Sequence, residues 1–309
     1  AALRETITRA RQLARAKTPV LLQGETGAGK EEFARGIHGG NGPYVALNCG
    51  GLSRELLASE LFGYADGAFT GARKGGMAGK IEAASGGTLF LDEIGEMPPD
   101  MQPHLLRVLE QGELYRLGEN TPRKVAFRLI AATHRDLRAE VAAGRFRMDL
   151  YYRVAVSTLR IPPLRERDGD VALLARHFLA RLRREQGLPP LDGAALLPIS
   201  VATRLAAHDW PGNVRELRNV VEGAALLSEG APIGLEHLPP ELEKGAPRAV
   251  PFPPAVPAAV VPSMAEGEET LIRSAIAASS GNLTQAARQL HIAKSTLYAK
   301  MQRYGLRRR

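Results

Sequence analysis

The chain has 309 residues, more than one compact core usually serves, and its 44% apolar and 24% charged content is that of globular protein. No stretch of 18 apolar residues occurs and no signal peptide is visible, which excludes a membrane-spanning helix and leaves no membrane partner. The net charge of +8 is uneven: residues 263–309 hold Lys294, Lys300 and six arginines against three glutamates. Such a tail reads as a nucleic-acid partner or, more plainly, as a solvated basic face.

Cys49 is the single cysteine, so no internal disulfide forms and a cytoplasmic location is expected. The chain starts without Met, in what reads as mid-domain sequence, so we expect a piece of a longer protein. In chain order, "PVLLQG", "YVALN", "GTLFLDE" and "FRLIAATH" read as buried parallel strands. Between them "KEEFARGIH" and "MQPHLLRVLEQG" have helical spacing, which predicts an α/β sandwich over residues 1–160. Helices alone follow over 161–240. A Pro/Ala-rich linker is expected over 241–262 and a small helical unit over 263–309.

"GETGAGKE" follows the first strand and opens a helix, the context of a phosphate-binding loop. Gly24, Glu25, Thr26, Gly27, Ala28 and Gly29 would present backbone N–H groups to phosphate, and Lys30 would reach the β- and γ-phosphates. Glu31 stands where Ser or Thr usually binds magnesium; either the site is dead or the metal is held elsewhere. The strand "GTLFLDE" ends on Asp92 and Glu93. Asp92 can hold magnesium, directly or through water, and Glu93 can polarise the attacking water. ATP and Mg²⁺ are therefore the expected ligands. Farther on, "GAFTGA" (67–72) sets Phe69 and Thr70 among glycines at an expected loop tip. Exposing Phe69 wastes apolar burial unless the loop meets a partner.

These segments, with "LNC", "ELFG", "RLIAATHRDL", "GRFRMDLYYRV", "PPLRERDGD" and "WPGNVRELRNV", come in the order found in the AAA+ activators of sigma-54 RNA polymerase. The chain closely resembles those bacterial enhancer-binding proteins of nitrogen-regulator type. The resemblance implies an AAA+ P-loop NTPase, an αβα sandwich with a parallel sheet plus a helical lid. It also removes the objection to Glu31, since the family commonly has Glu there. The short "IHGGNGPY" connection departs from the family and implies a trimmed loop.

By resemblance, Asn48 is the switch partner that holds Glu93 off the water; alone it reads as a strand-end turn residue. Thr133 and His134 match the first sensor; alone they read as a capping pair. Arg147 and Arg153 match arginine fingers that would act across a subunit interface, with a local pair to Asp149 as the plainer reading. Arg215 matches the second sensor on the lid, against a surface pair with Glu216, and Trp210 is expected to pack the lid. Gly67, Ala68, Phe69, Thr70, Gly71 and Ala72 would form the sigma-factor contact. The ATPase units would assemble as a hexamer or heptamer ring.

At the C-terminus, "GNLTQAARQLHIAKSTLYAKMQRYGL" predicts two helices around a turn, with Gly281 ending one helix and Asn282 capping the next. Ala286, Ala287 and Leu290, then Leu297, Met301 and Tyr304, should face inward. Lys294, Ser295, Thr296, Tyr298, Lys300 and Arg303 remain for double-stranded DNA. This segment resembles Fis-type helix-turn-helix domains, which are dimers. The combined expectation is an ATP-driven activator that binds enhancer DNA and remodels the sigma-54 RNA polymerase holoenzyme through "GAFTGA". A DNA-binding repressor or scaffold with a structural AAA+ fold is the alternative; a DNA motor or replication initiator is a third reading.

Overall fold

The computed structural model describes residues 2–68, 74–243, 283–290 and 294–303, with positions 272, 275, 279 and 292. Phe69, Thr70, Gly71 and Ala72 of the expected loop tip lie outside the described residues, as do 244–262 and Gly281, Asn282 and Tyr304. Tertiary contacts divide the chain into Ala1–Pro247 and Arg248–Arg309.

The first unit opens with α1 (Ala2–Arg15) and β1 (Val20–Gln23), then α2 (Lys30–His38), β2 (Tyr44–Asn48) and α3 (Arg54–Phe62). Next come the short pair β3 (Gly63–Tyr64) and β4 (Met77–Ala78), α4 (Lys80–Ala83), β5 (Thr88–Asp92) and α5 (Gln102–Gln111). A second short pair, β6 (Glu113–Leu114) and β7 (Arg123–Lys124), precedes β8 (Arg128–Thr133). The subdomain closes with α6 (Leu137–Ala142), α7 (Met148–Val154) and β9 (Ser157–Arg160).

Five strands form one parallel sheet in the order β2-β5-β8-β1-β9. Alternate residues of each strand point to opposite faces. Leu21, Leu89, Leu91 and Ala131 enter one core with Leu57, Leu105 and Leu150, whereas Val20, Leu22, Phe90, Ile130 and Ala132 enter another with Ala34 and Ile37. Both faces are covered, so the central strands read as unbroken apolar runs. The edge strand β9 was not legible that way. Its sequence is STLR and only Leu159 is buried.

The lid comprises α8 (Asp170–Glu185), α9 (Gly193–Leu196), α10 (Ile199–Ala206), α11 (Asn213–Leu227) and α12 (Pro240–Glu243). Trp210 is fully buried in its core and donates Nε1–H to Leu205 O at 2.9 Å, a packing role as expected. Residues 241–243, expected to begin the linker, instead belong to α12. Leu242 is buried in the lid core and its carbonyl accepts from Arg204 Nη1, so apolar burial extends the lid past 240.

In the second unit, helices Leu283–Gln289 and Lys294–Arg303 pack around Ala286, Ala287, Leu297 and Met301, with Leu290 half-buried against them.

Candidate nucleotide site

Parallel strands all present their C-terminal ends at one edge of the sheet, and an open crevice there is where such folds bind ligands. Register places Asn48 opposite Asp92 and Gln23 opposite Thr133. The loop 24–29 leaves the end of β1 and reaches the N-terminus of α2. Gly27 has φ +76° and Gly29, at the N-terminus of α2, has φ +97°, values that L side chains rarely adopt. A Cβ on Gly27 would also stand 2.3 Å from the Gly212 carbonyl oxygen. A cleft of about 920 Å³ opens here, lined by Thr26, Gly27, Gly29, Lys30, Asp92 and Glu93 among others.

Lys30 is the first residue of α2 and only 7% exposed. Its Nζ donates to Gly24 O at 3.0 Å and Glu25 O at 3.3 Å and lies 3.3 Å from Glu93 Oε1. Glu93 follows β5 with φ +51°, in the left-handed region that costs a non-glycine residue energy. Its Oε2 lies 2.7 Å from His134 Nδ1 and accepts from the His134 backbone N–H at 3.2 Å. Burial pushes the Glu93 carboxyl up, but the bonds from His134 and the charge of Lys30 outweigh it and hold it below the ordinary glutamate value. Burial, then the neighbouring Glu93 charge, pushes the Asp92 carboxyl up. One carboxylate is thus kept ionised while its neighbour bears an electrostatic penalty that a cation would relieve.

Among the described residues no group of three His, Cys, Asp or Glu side chains stands ready to hold a metal alone. Asp92 fits magnesium as one hard oxygen donor beside a phosphate-binding loop, where phosphates supply further oxygens. Glu31 also lines the cleft, with its carboxylate paired to Arg35 at 2.7 Å one turn along α2.

Several expected residues take local partners. Asn48 Oδ1 accepts the Gly50 N–H at 2.8 Å, the strand-end turn, and Glu93 is held by His134. Thr133 Oγ1 accepts the Arg135 N–H at 3.0 Å at the end of β8. Glu25 turns its carboxylate away, onto Arg165 at 2.6 and 2.8 Å. Arg147 pairs with Asp149 at 2.7 Å, and Arg153 donates to Leu109 O at 2.6 Å; neither lines the cleft. Arg215 does line it, from α11, and makes no pair with Glu216, whose Oε2 accepts the Gly212 N–H at 2.7 Å. Buried Cys49 has its thiol pushed up to about 12 by burial and then by Asp92 and Glu93, so it is inert.

The sequence reading missed an apolar pocket of about 690 Å³ beside the loop, lined by Ile7, Ala10, Phe33, Leu174 and Val214 among others. Helical spacing marks these residues as amphipathic, but only the fold gathers α1, α2, α8 and α11 around one space.

Two further expected contacts lie elsewhere. Just after β3, Gly67 has φ +72° and Ala68 lies against Gly118. On Lys294–Arg303, Lys294, Ser295, Thr296 and Tyr298 are exposed, Leu297 and Met301 are buried, and Lys300 is half-buried. Arg303 ends that helix, and its side chain lies outside the described residues.

The family model described as the sigma-54 interaction domain matches residues 1–160. The chain belongs to the sigma-54 interaction family. An AAA+ ATPase lid model matches residues 165–252 of this member, and the bacterial regulatory protein, Fis family, model matches 263–304. It is 47% identical over 296 residues to a Geobacillus stearothermophilus protein named limonene hydroxylase, covering 93% of this chain and 52% of that one. It is 45% identical over 295 residues to the transcriptional regulatory protein ZraR of Escherichia coli, covering 94% of this chain and 64% of ZraR. The chain thus spans about half to two thirds of the length of these curated relatives. Among solved structures, NtrX from Brucella abortus in complex with ADP matches with a TM-score of 0.71 at 30% identity, covering 98% of this chain and 68% of that one. The expected fold class, an AAA+ α/β unit with a lid followed by a Fis-type domain, is the observed one.

Proposed function

We propose that the chain is the motor and DNA-binding part of a transcription activator that hydrolyses ATP to remodel sigma-54 RNA polymerase. One observation carries the enzymatic half: an ionised Glu93, paired with Lys30 and His134, stands beside Asp92 at the mouth of a phosphate-binding loop. The adenine base would enter the apolar pocket at Ile7, Ala10 and Phe33. The N–H groups of Gly27 and Gly29 and the α2 N-terminus would take the phosphates. Lys30 would leave its loop carbonyls for the β- and γ-phosphates. Magnesium, held by Asp92 and phosphate oxygens, would neutralise charge on the transferring group. Glu93, once released from Lys30 by phosphate, would accept the proton of the attacking water, with Asn48 as its switch partner. Thr133 and His134 would report the γ-phosphate, and Arg215 would bring the lid onto it.

Arg147 and Arg153 would act on a neighbour's nucleotide, so the active form is a ring, hexamer or heptamer. The loop 67–72 would rise with the nucleotide state and present Phe69 and Thr70 to sigma-54 at the promoter. The helix Lys294–Arg303 would enter the major groove of enhancer DNA, its N-terminal Ser295 and Thr296 toward base edges and Lys294, Lys300 and Arg303 toward phosphates. A dimer of such units and a cytoplasmic location go with this reading. A repressor or scaffold using the same fold would have no need of an ionised Glu93 beside Lys30.

The decisive variant is Thr70→Ala. ATP turnover should persist while open-complex formation by sigma-54 polymerase is lost. Loss of both, or of neither, contradicts a dedicated contact by this loop.

A further inference from the structure

The phosphate loop binds anions through its N–H groups, so something must hold its carbonyls on the far side. Three consecutive carbonyls are held by the lid. Thr26 O accepts from Asn213 Nδ2 at 3.1 Å, Gly27 O from the Val214 N–H at 3.0 Å, and Ala28 O from Arg167 Nη2 at 2.6 Å. A trans peptide carries its C=O and the next N–H on opposite sides. Donors on these carbonyls therefore aim the N–H groups of Gly27 and Gly29 the other way. The N–H of Ala28 closes a turn on Glu25 O at 3.2 Å.

The donors are costly to build. Asn213 is fully buried at φ +53°, a conformation uncommon outside glycine. Its Oδ1 accepts the Leu164 N–H at 2.7 Å, and its Nδ2 also donates to Glu25 Oε2 at 3.1 Å. Arg167 is 7% exposed; its Nε donates to Pro162 O at 2.9 Å, and burial pushes its guanidinium below the ordinary arginine value. Buried polar groups are tolerated when every donor finds an acceptor, and these acceptors belong chiefly to the loop and to the first residues of the lid. Outside them, Arg165 forks onto Glu25 with both side chains about two-fifths exposed.

We propose that Asn213, Arg165 and Arg167 are positioning residues, a latch through which the lid sets the peptide planes of the phosphate loop. On this basis Glu25 serves the loop through Arg165 and does not touch nucleotide with its carboxylate. The helix α11 begins at Asn213 and carries Arg215, so lid position and loop conformation are tied at one point. The lid then governs phosphate affinity from behind the loop as well as through Arg215. This inference rests on the nucleotide-binding reading above.

The test is equilibrium binding of ADP to the full chain, with KM and kcat for ATP. Arg165→Gln should weaken ADP binding by about 3–10-fold, the order expected for a partly exposed charge-assisted fork. Asn213→Asp, nearly isosteric, sets a carboxylate against Glu25 and Thr26 O and should weaken ADP binding by about tenfold or more. KM for ATP should rise more than kcat falls in both. Glu25→Gln with Arg165→Gln should be no worse than the poorer single variant, because one fork is lost either way. Unchanged ADP affinity in the folded variants overturns the latch and leaves nucleotide binding standing. A lower active fraction at unchanged KM marks a plain structural role and overturns it too. A wild-type chain that binds no ADP overturns the nucleotide reading and the latch with it. If Asn213→Asp does not fold, Arg165→Gln on the exposed pair decides.

Discussion

The strand-end groups and Arg147, at the N-terminus of α7, are proposed to serve one phosphate, yet the fold treats them oppositely. Lys30 and Glu93 are 7% and 16% exposed and bound to each other, whereas the Arg147 guanidinium is half exposed and pairs with Asp149, two residues away. Tyr152 and Met148, on helix α7 next to Arg147, expose 64% and 59% of their surface. One half of the proposed site is preorganised within the chain. The other half lies on a surface whose apolar groups have no cover in a single chain, which suits a subunit interface. On the proposed reading, such a chain would keep turnover low until neighbours assemble.

The largest expected effect tests the exposed half. Of Arg147→Ala and Arg153→Ala, the variant that removes the true finger should lower ATP turnover by about 10³-fold or more. Melting temperature should move little, since the exposed Arg147–Asp149 ion pair contributes about 0–1 kcal/mol and the exposed Arg153 hydrogen bonds to Leu109 O about as much. Full turnover in both variants would break the comparison.

Next comes the buried half. Glu93→Ala should lower turnover by about 10²–10⁴-fold while ATP still binds, measured by single-turnover hydrolysis beside equilibrium binding. Unchanged turnover would remove Glu93 as the base.

A smaller effect separates positioning from chemistry. Glu93 is held below its ordinary pKa against the upward push of burial, largely by His134. His134→Ala should therefore let that pKa rise. The base needs the ionised form, so the acid limb of turnover should move to higher pH and turnover near neutrality should fall by about tenfold or less. An unmoved acid limb would show that His134 does not tune the base.

The smallest effect concerns Glu31, whose carboxylate lies on Arg35. Glu31→Gln should leave turnover and its magnesium dependence within about twofold, as the loss of an i,i+4 surface pair predicts. A large rise in the magnesium requirement would place Glu31 at the metal.

Much of this was legible in sequence because the signals are local. The loop 24–31, the apolar run ending in Asp92 and the α2 spacing each lie within a dozen residues, and all appear where expected. Strand β9 was not legible, because its sequence STLR carries a single apolar residue, whereas the other edge strand, β2, reads YVALN. Nor were the two short hairpins, whose paired strands are two residues long and carry no period. The latch was invisible for another reason. Asn213 and Glu25 are 188 positions apart, and no local pattern announces that a buried amide will meet a loop carbonyl. "PPLRERDGD" and "WPGNVREL" stood out as motifs, but Arg165, Arg167 and Asn213 acquired a role only when the fold brought them to the back of the phosphate loop.

The division of the site between two chains is tested most directly by mixing. A Glu93→Ala chain and a chain lacking the finger arginine, whichever of Arg147 and Arg153 it proves to be, should each be nearly inactive. Random assembly of equal amounts restores both groups at about a quarter of ring interfaces, so the mixture should recover roughly that share of wild-type turnover. A mixture that assembles but stays as inactive as its parts would contradict a site shared between neighbours.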